Sequence, residues 1–222
     1  MPDIYNGKML SVAVLGSSKI ELTPTSYHSF LLTNYLADDP EWQQGIDQHW
    51  PGRVENRETL LSDSIRANPL SVHLNLIRRT GNDYSVLVSR RSDTNANAPS
   101  TYGHTAGGSM DISDLYGSSS ETIARVATRE LKEELGIDLR PQDLSVVDIF
   151  VSSKVLDPVA VAVAIVSERQ ILTWTTGAEL LSATWCKIAD VQIEAQLKPW
   201  AWHYDTLDDM AATVNFLDRH PM

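Results

Sequence analysis

Residues 118–137 read as one capped amphipathic helix whose apolar face changes character before the helix ends, and this stretch constrains the chain more than any other. Ser118 with Glu121 three positions on matches a capping box, and Gly136 suits the position just past a helix C-terminus. At about 100° per residue, Ile123, Val126, Ala127, Leu131 and Leu135 form an apolar stripe. Glu130, Glu133 and Glu134 fall seven residues after Ile123, Val126 and Ala127, so carboxylates take over the directions in which the stripe would continue.

That arrangement opposes helix stability. Glu130 has like charges at i+3 and i+4, each unfavourable by about 0.2–0.5 kcal/mol. Negative charge near a helix C-terminus also opposes the macrodipole, by about 0.3–1 kcal/mol per group. A bound divalent cation reverses both effects, because hard cations such as Mg²⁺ take carboxylate oxygens and bridge them to substrate phosphates. A solvated acidic helix end is the competing reading of Glu-x-x-Glu-Glu taken alone. Arg129, four residues before Glu133, is placed to fix that carboxylate by an i,i+4 pair or to form only a surface ion pair.

With these neighbours the stretch resembles the Nudix hydrolases. Their signature is Gly, five residues, Glu, seven residues, then Arg-Glu-aliphatic-any-Glu-Glu-any-Gly-aliphatic; Glu121 and residues 129–137 match it in spacing. There is one departure. Gly108 is followed by twelve residues before Glu121, so the loop is seven residues longer than the signature, and the added stretch carries Asp111 and Asp114. Gly107 and Gly108 look like the family's loop start, with Ala106 where proline is common.

The resemblance implies an α/β chain, a Nudix-like α/β/α sandwich with a mixed β-sheet. It implies attack of water on a phosphorus of a diphosphate in a nucleotide derivative or related small molecule. It further implies Mg²⁺, with Mn²⁺ as the alternative, held by Glu130, Glu133 and Glu134. Glu130, Glu133 and Arg129 become the catalytic candidates, with Arg129 orienting Glu133. Glu121 lies about 180° around the helix from Glu130 and is assigned to structure. Glu130, Glu168 and Glu179 are the candidates for general base.

Arg90 and Arg91 directly follow a predicted strand, a place where a guanidinium can grip phosphate. Strand alternation puts them on opposite faces, so at most one faces the site. His104, in the polar loop, is a further candidate for substrate contact.

A net charge of −11 disfavours non-specific nucleic-acid binding, which depends on Lys and Arg displacing counterions, so no nucleic-acid partner is expected. An anionic substrate must then be drawn in by local cations or metal. With no apolar run approaching 18 residues and no secretory signal, the expectation is a cytoplasmic protein without a membrane partner. Homodimers are common in the family, which keeps a homodimer among the expectations.

Residues 1–68 are expected to form an N-terminal α+β extension, with strands at 10–15 and 19–22 and helices at 27–36 and 58–65. Residues 69–222 are expected to form the catalytic domain. Within it, strands at 72–77 and 84–88 flank a turn at 80–83, and a polar loop covers 92–109. Strands at 144–151, 159–166 and 183–188 follow the acidic helix, and a helix at 206–217 closes the pattern. The alternative function is a non-catalytic nucleotide or nucleotide-sugar sensor on the same fold. Isoprenoid diphosphate isomerisation is weaker, since it needs a loop cysteine and the single cysteine, Cys186, falls in a predicted strand.

Overall fold

The computed structural model describes residues 7–15, 20–35, 67–81, 83–95, 98–152, 154, 157–167 and 173–220. The expected helix at 58–65 and Glu168 lie outside the described residues. The chain divides into two compact units. The first comprises Met1–Ser71, Ser109–Leu115 and Val151–Pro158, and the second Val72–Gly108, Tyr116–Phe150 and Val159–Met222.

In the first unit, β1 (Lys8–Leu15) pairs antiparallel with β2 (Ile20–Ser26), with a bulge between Val12 and Val14. Ser26 caps the short helix α1 (Tyr27–Phe30), which widens into a π-helical turn over Leu31–Tyr35. The other edge of β1 is closed by distant backbone. Leu10 N–H donates to Met110 O at 3.0 Å, Met110 N–H to Leu70 O at 2.9 Å, and Leu70 N–H to Leu10 O at 2.9 Å. All three residues are buried, so the ring satisfies amides that water cannot reach. The seven-residue excess thus continues a stretch that belongs with the N-terminal extension. Its next turn, Ile112–Asp114, has its own capping box, in which Asp111 accepts from Ser113 N–H and Asp114 accepts from Asp111 N–H.

In the second unit, β3 (Ser71–Thr80) and β4 (Asp83–Arg91) form the expected hairpin, each longer than its apolar run. β4 also pairs with β9 (Leu180–Lys187) from Ser85 to Arg91 along one edge, which leaves the other edge to β3 and then to the short β5 (Tyr102–Gly103). β6 (Ala106–Ser109) pairs with β3, while β8 (Pro158–Val166) lies between β3 and β7 (Leu144–Val151) in this seven-stranded sheet. β8 is buried from Pro158 through Ala164, as its unbroken apolar run anticipates.

The split between β3 and β4 is held by one side chain. Thr105 Oγ1 accepts from Leu76 N–H at 2.9 Å and donates to Leu87 O, while the backbone of Thr105 donates to Leu74 O and accepts from Ser89 Oγ. The segment expected as a polar loop is therefore wedged into the sheet by threonine hydrogen bonds, which an apolar pattern does not reveal.

Helix α2 (Ser119–Leu135) begins at the Ser118–Glu121 capping box and ends at Gly136, whose φ of 67° is the left-handed conformation glycine accepts freely. Ile123, Val126, Ala127, Leu131 and Leu135 are all buried, as the stripe predicts. The other helical layer is α3 (Ile188–Leu197) and α4 (Thr206–Arg219). Ile188, Val191, Met210 and Leu217 from these helices pack with Ile77, Val86, Val88 and Val163 of the sheet. Helix α3 was not anticipated: it has no side-chain cap, and Ile193, Ala195 and Leu197 alternate at strand rather than helix spacing.

Candidate functional site

The acidic end of α2 lies against the glycine pair. Gly107 N–H donates to Glu134 Oε2 at 3.1 Å, and a Cβ on Gly108 would overlap the Glu130 carboxylate. Glu134 is buried and the Glu130 side chain is 13 % exposed, whereas that of Glu133 is 58 % exposed. Arg129 Nη1 donates to Glu130 Oε1 at 2.8 Å and to Glu133 Oε2 at 3.1 Å, so it spans two of the box carboxylates. Glu121 faces away, in the cap, with Ser118 N–H holding its carboxyl below the usual range.

Burial pushes Glu130 up to about 7, against the pull of Arg129, with Glu133 adding to the rise. It pushes Glu134 up to about 8, against the Gly107 N–H, with Glu130 adding to the rise. Two largely desolvated carboxylates one helical turn apart form a donor set that fits a hard divalent cation.

The segment before β9 docks on the helix end. Gly177 N–H donates to Glu134 O at 2.7 Å and Thr175 N–H to Leu135 O at 3.1 Å. It carries Glu179, which is exposed and whose charge raises both Glu130 and Glu134. Of the two arginines, Arg91 lines a cavity of about 10 Å³ with His104, Glu134 and His203, and its guanidinium donates to Asn95 Oδ1 at 2.9 Å. Arg90 instead sits over the Tyr102 ring, 5.6 Å from its centroid, and the pairing of β4 with β9 slips between the two arginines. Alternation thus separates them, and Arg91 is the one beside Glu134. Arg78 stacks on Trp185 at 4.3 Å.

His104 is buried rather than displayed on a polar loop. Its ring stacks on His73 at 3.7 Å between centroids, and its Nδ1 lies 3.4 Å from Asp209 Oδ2. His73 Nδ1 is 3.0 Å from each oxygen of the same carboxylate. Burial pushes the His104 imidazole down to about 4, and the neighbouring His73 adds to the fall. The sequence reading missed His73, Asp209 and His203. The signal lay in polarity out of place: His73 interrupts an apolar strand, and Asp209 falls on the buried face of α4 with Met210 and Thr213.

Cys186 lies in β9 opposite Val86, packed against the apolar cluster, with its thiol pushed up by burial. That is a half-buried strand position rather than the catalytic loop an isomerase would need.

The NUDIX domain model matches residues 69–210. The chain belongs to the Nudix family. Solved structures agree on this mixed α/β fold. A Nudix hydrolase from Alicyclobacillus acidocaldarius superposes with a TM-score of 0.53 at 20 % identity, covering 66 % of this chain and 91 % of that one. The NUDIX domain of Shewanella oneidensis NrtR, solved with ADP ribose, gives 0.52 at 16 % identity, covering 74 % and 99 %. A bifunctional NMN adenylyltransferase/ADP ribose pyrophosphatase from Francisella tularensis gives 0.50 at 14 % identity, covering 84 % and 51 %. No curated protein matches this chain in sequence. Nudix proteins are mostly pyrophosphohydrolases that use divalent metals. Among the described residues, no helix of this Nudix protein is long and apolar enough to cross a membrane.

Proposed function

We propose that this Nudix domain hydrolyses a diphosphate linkage in a nucleotide derivative or related small-molecule diphosphate. The observation that carries the reading is the buried Glu134 beside the largely covered Glu130, held against Gly107 and Gly108. Two carboxylates kept out of water at a helix C-terminus are costly unless a cation joins them.

Glu130 and Glu134, with the more exposed Glu133, would hold Mg²⁺ or Mn²⁺. The ion, when bound, neutralises phosphoryl charge and polarises the bond to be cleaved. Arg129 holds the Glu130 and Glu133 carboxylates in place. Arg91 supplies the guanidinium for a phosphate oxygen beside Glu134. Glu179 is exposed and near both box glutamates, which suits a carboxylate that takes the proton from attacking water. ADP ribose, bound by the NrtR domain and named in the Francisella enzyme's activity, is the first substrate to try.

The test is a mass-spectrometric product screen of the full chain against nucleoside triphosphates, ADP ribose, other nucleotide sugars and dinucleotides, with Mg²⁺ and with chelator. Metal-dependent cleavage that is lost when Glu130 and Glu134 are both replaced by Gln is the expected result. Turnover unchanged in that double variant would overturn the proposal. Saturable binding without any phosphate-containing product would replace it with the sensor reading.

A further inference from the structure

We propose that His73, His104 and Asp209 form a second metal site, for a borderline divalent cation of the Zn²⁺ or Co²⁺ kind, separate from the carboxylate box. The three side chains come from different parts of the fold: β3, the segment wedged beside it, and α4. Their candidate ligand atoms all lie within 4.8 Å of one another.

The spacing of His104 from the carboxylate is that of a coordination shell, while His73 holds the same carboxylate at hydrogen-bond distance. At metal–nitrogen and metal–oxygen distances of about 2.0–2.2 Å, the ligand atoms of a tetrahedral site stand roughly 3.3–3.5 Å apart. His73 Nδ1 lies 3.0 Å from Asp209 Oδ2, and His104 Nδ1 lies 3.4 Å from the same oxygen. Both imidazoles therefore turn the same nitrogen toward one carboxylate.

The cluster is also incomplete without an ion. His104 Nδ1 is fully buried and has no hydrogen bond of good geometry. The Asp209 side chain is 0 % exposed, and among the described residues no lysine or arginine pairs with it. A buried nitrogen without a hydrogen bond is unfavourable, and a divalent ion between His104 and the Asp209 carboxylate relieves it.

The donor chemistry separates this site from the box. Imidazole nitrogens suit zinc, cobalt and nickel, whereas an all-carboxylate set suits magnesium and manganese. His203 stands edge-on to both rings, at 5.6 Å from His73 and 5.3 Å from His104, and its Nδ1 accepts from Asp205 N–H, so it acts as a wall rather than a ligand. A Cβ on Gly107 would lie 2.7 Å from His104 Nε2, so this metal would brace the glycine pair that cradles Glu130 and Glu134.

The experiment uses the full chain, stripped by chelator and titrated with Co²⁺ while visible absorption is followed. The titration is repeated in the Glu130→Gln/Glu134→Gln variant and in Asp209→Asn. The expected result is one tight equivalent with nitrogen-ligated Co²⁺ bands that persists in the box variant. Second-sphere losses typically weaken metal binding by about 10–100-fold, so loss of the ligand in Asp209→Asn should weaken it by at least about 100-fold. A band that vanishes with the box variant and survives in Asp209→Asn would overturn the proposal, as would the absence of any tight equivalent. X-ray absorption on the zinc-loaded wild type covers the case in which Asp209→Asn fails to fold. Two imidazole ligands are expected there, and a shell of oxygens alone refutes the site.

Discussion

The backbone of Gly108 lies so close to the Glu130 carboxylate that a Cβ would overlap it, whereas a Cβ on Gly107 would meet the backbone oxygen of Val72 at 2.9 Å. The two glycines therefore fail differently when replaced. In Gly108→Ala the obstacle is the far end of a flexible side chain, which moves aside. Stability should stay within about 1 kcal/mol of wild type, while turnover should fall about 100-fold or more because Glu130, the proposed metal ligand, is displaced. In Gly107→Ala the obstacle is backbone, and unfolding free energy should drop by about 1–3 kcal/mol. Denaturant titration beside kcat measurement separates the two, and equal stability losses would contradict this geometry.

Metal-free protein should lose stability as pH rises from 6.5 to 8.5. Glu130 and Glu134 have folded values of about 7 and 8, above the ordinary 4.5. Their contribution is fully present below about 4.5 and disappears as pH rises through 7 and 8. His104 works in the opposite sense: with its value lowered from 6.5 to about 4, its contribution is present above 6.5 and lost as pH falls toward 4. Above pH 6.5 the carboxylates set the slope. Melting temperatures in chelator should fall across this window, and the fall should flatten when both glutamates are replaced by Gln. An unchanged slope in that variant would assign it to other groups.

Metal affinity at the box should rise over the same window. With the proposed ligands Glu130 and Glu134, an ion would displace their protons, so Mg²⁺ should bind more weakly at pH 6 than at pH 8.5. Calorimetry in buffers of different ionisation enthalpy reads the proton release directly, and binding without proton release at pH 6.5 would contradict it.

Thr105→Val keeps the shape of the side chain but strands the Leu76 N–H and the Leu87 carbonyl, both bonded to Oγ1. Each buried group left without a partner costs about 1–3 kcal/mol. Unfolding in urea should show a loss of at least about 2 kcal/mol, and a near-neutral result would mean that the wedge tolerates rearrangement.

Ser118→Ala should cost about 1 kcal/mol, since it removes the N-cap acceptor for Glu121 N–H. Turnover at saturating metal should remain at the wild-type level, because the cap lies at the opposite end of α2 from Glu130. A parallel drop in kcat would show that the start of the helix is coupled to its acidic end.

The elements legible in the sequence were those whose information is local. α2 announces itself by a capping box, an apolar stripe and a terminal glycine, and the β3–β4 hairpin by two apolar runs around Gly81. The box glutamates were readable because three carboxylates at a helix C-terminus break a local rule. What escaped depends on distant partners. β5 and β6 are strands because Thr105 is bonded between Leu76 and Leu87, and α3 exists because Ile188 and Val191 meet a cluster built from sheet and α4. The His73–Asp209 contact joins residues 136 positions apart, a separation no window of sequence spans.

The ring of backbone bonds through Leu10, Met110 and Leu70 makes the long loop and the N-terminal segment a single inheritance. Remove either, and the other keeps buried amides with nothing to answer them. In a lineage of such proteins the two should be gained together and lost together, so a relative with the lengthened loop can be expected to carry a counterpart of β1.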